Sequence, residues 1–136
     1  MENGNNKFFQ EAKDVAKLST FYKCHTGCVI VYKNRIISSG CNSTKTHPLQ
    51  RKYNKERFDD DNTPHYMHAE VQALTNLIND DSIKWKKVHI YNYRISKNKY
   101  AISRPCASCM ALIKHLGIHH LHYTTNDGFT YEFLDY

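Results

Sequence analysis

His68-Ala69-Glu70 and Pro105-Cys106-Ala107-Ser108-Cys109 decide the fold, because each opens a helical pattern and together they gather metal-binding chemistry. They supply one imidazole, two thiols and one carboxylate. A catalytic zinc site takes three protein ligands and keeps an open position, whereas a structural site closes with four. Cysteines three apart on a helical turn put both sulfurs on one face, so Cys106 and Cys109 can share an ion with His68. Pro105 suits the first turn of a helix, where a missing N–H costs nothing. The free N–H groups and the positive end of the dipole there favour both thiolates. One imidazole and two thiolates leave the zinc formally neutral, hence a weaker acid than with three neutral ligands. Donors aimed at the sulfurs restore part of its pull on water. His68 also precedes the apolar run Val71, Ala73, Leu74, Leu77 and Ile78, which reads as a helix. Glu70 falls in its first turn, close to the metal without being a ligand.

Each motif alone has a plainer origin. H-x-E is common on surface helices, and C-x-x-C alone fits a redox pair or half of a structural zinc site. A four-cysteine ribbon needs a second C-x-x-C, and the sequence has none. Both motifs in this order, each opening a helix, favour the zinc enzyme.

Outward from the motifs, Phe8, Phe9, Ala12, Val15, Ala16 and Leu18 make a helical stripe over 7–20. Cys28–Tyr32 and Arg35–Ser39 read as strands around the turn Lys33-Asn34. Val88–Tyr93 reads as a strand, Cys106–Leu116 as a helix capped by Gly117, and Ile118–Thr124 as a further strand. Thr130–Tyr136 reads as a short terminal helix. Strand, helix, strand in this order implies a right-handed crossover and a parallel pair. The expected class is α/β, a three-layer α/β/α sandwich with helices on both faces of a mixed sheet of about four to five strands. Residues 42–66 lack periodicity and carry two prolines and the run Asp59-Asp60-Asp61. They read as a long functional loop within a single domain spanning 1–136.

A chain of 136 residues can bury a real core. No stretch is apolar enough for a membrane helix, and the polar start Met1–Asn6 is not a secretory signal. Five cysteines, an odd number with two committed to metal, suit a reducing cytoplasm better than a disulfide framework. The net charge of +6 favours anionic partners, either nucleotide phosphates or nucleic acid.

Along nearly its whole length the chain resembles the cytidine and deoxycytidylate deaminase superfamily, whose signature is H-x-E followed by P-C-x-x-C. His-Ala-Glu at 68–70 resembles the deoxycytidylate and tRNA-adenosine branches, since small free-cytidine deaminases usually begin that motif with cysteine. Gly27–Val31 resembles the family's first strand and Gly40-Cys41-Asn42 the turn after its second. Thr46–Gln50 and Tyr123–Gly128 look like phage and bacterial deoxycytidylate-type proteins. The resemblance implies zinc as cofactor, the deaminase α/β/α sandwich, and assembly into dimers or larger oligomers. It implies that Asn42 binds the sugar hydroxyl and that the Ala69 N–H contacts the base carbonyl. The implied reaction is hydrolytic: zinc acidifies water, and Glu70 carries its proton to the ring nitrogen and a second to the departing amine, which leaves as ammonia. Arg104 departs from the family, standing where many relatives carry an acidic or small residue. The 42–66 loop also lacks a glycine-rich turn, so allosteric control by triphosphates is not implied.

The expected substrate is a cytosine nucleotide, deoxycytidylate foremost. Its phosphate would meet cations among Lys45, His47, Arg51, Lys52 and Arg104. A nucleic-acid deaminase is the alternative, with Tyr53, Phe58, Tyr66, Tyr131, Phe133 and Tyr136 as stacking candidates. A third reading keeps fold and zinc without turnover. Cys24, His25 and Cys28 admit a second, structural zinc with His65 or His47, although Cys28 reads better as core. His115, His119, His120 and His122 resemble a metal tract, but 119 and 120 point to opposite faces of a strand and so cannot jointly face one ion; His119-His120 sits where relatives often have lysines, which favours a surface role for that pair.

Overall fold

Lys33 and Asn34 both take positive φ, 52° and 64°, in the computed structural model of the chain, which describes residues 3–21, 24–56, 66–96 and 99–136. Two successive left-handed residues make the tight turn whose twist suits a β-hairpin. It joins β1 (His25–Tyr32) to β2 (Arg35–Cys41). β3 (His89–Ser96) pairs antiparallel with β1, and β5 (His120–Thr125) pairs parallel with β3. The crossover between them carries α4 (Ala107–Leu116), capped by Gly117 in the left-handed conformation. β6 (Gly128–Phe133) closes the order β2-β1-β3-β5-β6, and short β4 (Lys99–Ala101) pairs with β3 beside that path. This is the mixed α/β sheet expected, enlarged by β4.

Alternation along β1 divides the core. Val29 and Val31 face α1 (Asn3–Ala16), where they meet Phe8, Phe9, Ala12 and Val15. Cys28 and Ile30 face the other layer, with Val71 and Leu74 of α3 (Ala69–Thr75) and Leu112 and Ile113 of α4. Two glycines set the helix distances. A Cβ on Gly27 would lie 2.0 Å from the Ala12 carbonyl oxygen, and one on Gly40 would lie 2.7 Å from the Ala73 nitrogen. Backbone therefore touches backbone on both faces of the hairpin. Among the described residues, no helix is long and apolar enough to cross a membrane.

Two expectations are corrected. The terminal segment is strand, not helix: Phe129, Tyr131 and Phe133 alternate with intermediate residues, a period of two that pairs β6 with β5. Within 42–66, α2 (Pro48–Tyr53) and a 3₁₀ turn at Asn54–Glu56 form where a loop was expected. Their signal is Pro48 at the first helical position behind His47, whose Nδ1 accepts from the Leu49 N–H at 3.0 Å. The run Asp59–Asp61, together with Phe58 and His65, lies outside the described residues.

The histidines of β3 and β5 pack together. His122 is buried, its ring stacked on Tyr91 at 4.0 Å, and its Nε2 lies 2.9 Å from His89 Nδ1. His120 stacks on His89 at 4.2 Å, and His119 meets the Leu134 carbonyl at 2.6 Å. The parallel register brings His89 beside His120, an adjacency invisible in local sequence. Burial, followed by the neighbouring imidazoles, lowers His89 to about 4 and His122 to about 3.

Gly40→Ala is expected to destabilise the fold by about 1–3 kcal/mol in denaturant unfolding, because α3 must move off β2. The histidine cluster predicts acid sensitivity. Below the ordinary value of 6.5 the unfolded chain takes up protons that folded His89 and His122 refuse, so stability falls as pH drops from 6.5 towards 4. His122→Phe should flatten that decline in melting temperature measured against pH.

Candidate functional site

The N-termini of α3 and α4 meet at one point. His68 is the N-cap of α3 and Cys106 the N-cap of α4. His68 Nδ1 lies 3.3 Å from Cys109 Sγ and 3.4 Å from Cys106 Sγ. The ligand atoms of His68, Cys106 and Cys109 all lie within 4.8 Å of one another, the one such group among the described residues. Tetrahedral zinc with ordinary bond lengths holds nitrogen and sulfur about 3.6 Å apart. The set therefore fits zinc with a displacement of a few tenths of an ångström. It contributes three ligands, so a fourth position remains for water or substrate.

Hydrogen bonds fix this meeting point. Gln50 of α2 is fully buried; its Oε1 accepts from the His68 N–H at 2.9 Å and its Nε2 donates to Asn54 Oδ1 at 2.8 Å. Gln72 Oε1 accepts from the Cys41 N–H at 2.7 Å, tying α3 to the end of β2. On α4, the Met110 N–H donates to the Cys106 carbonyl at 2.8 Å, closing the first turn around the cysteine pair.

The electrostatics suit a cation. The Cys106 thiol is drawn down to about 3, chiefly by the hydrogen bond from Cys109, with further help from His68 and the Cys109 N–H. Cys109 is held high by the adjoining Cys106 sulfur and by burial. Glu70 is 5% exposed, and burial pushes its carboxyl up against the opposing pull of His68. Asn92 on β3 donates from Nδ2 to Glu70 Oε2 at 2.8 Å. Cys28 behind the site is held neutral by burial and then by the Glu70 charge.

The expected substrate residues divide. Ala69 opens α3 at the site, where first-turn N–H groups have no partner within the helix. The Lys45 carbonyl accepts from the Met67 N–H at 2.7 Å, which places Lys45 beside the His68 segment. Asn42 is buried and largely spent: Oδ1 accepts from Ser19 Oγ at 2.6 Å and the Thr26 N–H at 2.9 Å, while Nδ2 donates to the Cys24 carbonyl. His47 caps α2. Arg104 grips Glu132, Nε to Oε1 at 2.8 Å and Nη2 to Oε2 at 3.0 Å, with Tyr123 Oη donating to the same carboxylate. Arg51 and Lys52 are exposed on α2. The described members of the second zinc set, Cys24, His25, Cys28 and His47, do not gather. Of the stacking candidates, Tyr131, Phe133 and Tyr136 are exposed, whereas Tyr53 and Tyr66 are half-buried.

Gln50 and Asn92 were not anticipated. Asn92 had a readable signal, since asparagine is disfavoured in the middle of a strand and needs a reason to be there. Gln50 had none, because its helix lies in a segment without apolar periodicity.

Residues 2–125 match the family model of the cytidine and deoxycytidylate deaminase zinc-binding region. No curated protein sequence matches the chain. Among solved structures, the chain is similar to the dCMP deaminase of cyanophage S-TIM5 in complex with dCMP and dUMP, with a TM-score of 0.63 and 17% identity over 90% of this chain and 82% of that one. It is similar to a cytidine deaminase from Burkholderia pseudomallei, with a TM-score of 0.65 and 15% identity over 98% of this chain and 94% of the other. The cytidine deaminase of Mycobacterium leprae gives a TM-score of 0.56 and 13% identity, covering 96% and 94% of the two chains. At these identities the likeness is one of fold.

Gln50→Leu leaves the His68 N–H buried and unpaired. It should weaken zinc retention about 10–100-fold in chelator competition, and cost about 1–3 kcal/mol of stability.

Proposed function

The chain belongs to the family of cytidine and deoxycytidylate deaminases, and from that premise we propose that it hydrolyses the amino group of a cytosine nucleotide, converting dCMP to dUMP with release of ammonia. The observation that carries this reading is a buried carboxyl, Glu70, two residues from the ligand His68 on the first turn of α3 and coupled electrostatically to His68 and Cys106. A purely structural metal site needs no such group. Zinc held by His68, Cys106 and Cys109 would supply a Lewis acid that makes water acidic near neutral pH.

The protein's own groups do the rest. Glu70 takes the proton of the attacking water and delivers it to the ring nitrogen beside the reacting carbon, which makes that carbon electrophilic. The water oxygen adds to that carbon as the ring carbon–nitrogen double bond becomes single, leaving a tetrahedral carbon that carries both the hydroxyl and the amino group. Glu70 then takes the remaining hydroxyl proton and passes it to the amino group, the carbon–nitrogen bond to that group breaks as the oxygen becomes a carbonyl, and ammonia leaves. The Ala69 N–H meets the base carbonyl. Asn42 reaches the sugar with the one Nδ2 hydrogen its internal bonds leave over.

Phosphate recognition is assigned to Lys45, with Arg51 and Lys52 as further cations of the same segment. Arg104 is the weakest candidate, since Glu132 already answers its charge. The similarity to a dCMP deaminase and the charge of +6 both support an anionic nucleotide. Five free thiols support a reducing compartment such as the cytoplasm. A nucleic-acid substrate is the second reading, favoured by exposed Tyr131, Phe133 and Tyr136 and by Lys114 lying 5.9 Å over the Tyr136 ring.

Ammonia release from the zinc-loaded protein tests these readings. The panel is deoxycytidylate, cytidylate, deoxycytidine, deoxycytidine triphosphate and a short single-stranded oligonucleotide. Turnover confined to monophosphates is expected, falling about 10²–10⁴-fold in Glu70→Ala. Turnover of the oligonucleotide alone would transfer the assignment to the second reading, and silence on the whole panel with zinc bound would overturn nucleotide deamination.

A further inference from the structure

We propose that Asn92 is a positioning residue for the Glu70 carboxyl, tying it to the segment that carries the cysteine ligands. The proposal rests on Glu70 being the proton carrier of the reaction. Asn92 lies on β3 at the centre of the sheet and is 1% exposed. Its Nδ2 spends both hydrogens on oxygen acceptors, Glu70 Oε2 at 2.8 Å and the Ser103 carbonyl at 3.1 Å. Turning the amide over would set Oδ1 against both oxygens, so the amide has one stable orientation.

Ser103 completes the tie. Its hydroxyl donates to the Asn92 carbonyl at 3.0 Å and accepts from the Thr124 N–H at 2.8 Å. Its N–H donates to the Thr124 carbonyl at 2.9 Å. Ser103 thus joins β3 to β5 and stands three residues before Cys106. Movement of the cysteine-bearing segment and of the Glu70 carboxyl are coupled through a single amide.

Stability does not account for this asparagine. Its Oδ1 is buried without a partner, a cost that valine or leucine at the same place in the core would avoid. Acid–base work does account for it, because proton transfer demands a carboxyl fixed to within about 0.5 Å and 10–20° of its productive geometry.

The test is Asn92→Leu, with Asn92→Val as a second variant of different shape, each made in the wild-type and Glu70→Ala backgrounds of the zinc-loaded protein. In the wild-type background kcat should fall about 10–100-fold, with KM and bound zinc unchanged. In the Glu70→Ala background the same substitution should cost no further turnover, and melting temperatures of the four proteins in each variant's cycle should be non-additive. A wild-type kcat in both Asn92 variants, a loss expressed in KM or zinc content, or additive effects in both cycles would overturn the proposal. A wild-type protein silent on every substrate sinks the functional reading instead. The melting cycle then decides Asn92: non-additivity supports it and additivity overturns it.

Discussion

Two helices must begin at the same point, and most of this molecule exists to hold them there. His68 Nδ1 can sit within 3.4 Å of both sulfurs only if α3 and α4 converge end to end. α4 reaches that point because the crossover from β3 to β5 is parallel, which brings the chain back over the sheet before the second helix starts. α3 reaches it because Gly40 lets the helix backbone rest directly on β2. The site thus lies against the middle of β3, where Asn92 meets Glu70 and the strand's neighbours are antiparallel β1 on one side and parallel β5 on the other.

Convergence has an electrostatic cost, which the surrounding groups offset. Two sulfurs and a carboxyl crowd into a region with little water, and each would resist ionisation alone. The first turn of α4 donates to the Cys106 sulfur through the Cys109 N–H, and Asn92 donates to Glu70. Cys28, equally buried on the same side of the sheet, has no such donor and stays a neutral thiol. Cys109, as fully buried as Cys28, is held high as well, so what separates the two is the place of Cys109 against His68 and Cys106.

The sequence was legible where the chemistry was local. Cys106 and Cys109 are one turn apart, and Gly117 can be read as a cap because only its own backbone conformation is at stake. His68-Ala69-Glu70 is readable for the same reason. Long-range contacts were not. Gln50 reaches His68 across 18 residues and Asn92 reaches Glu70 across 22, and neither leaves a periodic trace. The histidine cluster needed the β3–β5 register. The terminal strand was misread because an aromatic alternation of only three side chains competes poorly with the helical reading of a short segment.

Arg104 shows how charge on a sequence differs from charge at a site. It stands next to Pro105 and would be the natural phosphate ligand by position alone. Glu132, brought across from β6, takes both of its forked donors, and Tyr123 adds a further bond to the same carboxylate. A bidentate pair of this kind would have to open before Arg104 could bind an anion. Among the described residues no such ion pair holds Lys45: its carbonyl is fixed to Met67, one residue before His68, while its side chain is exposed. Under the proposed function, the phosphate therefore meets the segment leading into α2, on the His68 side of the site, and Arg104 serves to clamp the β6 edge against the cysteine-bearing loop.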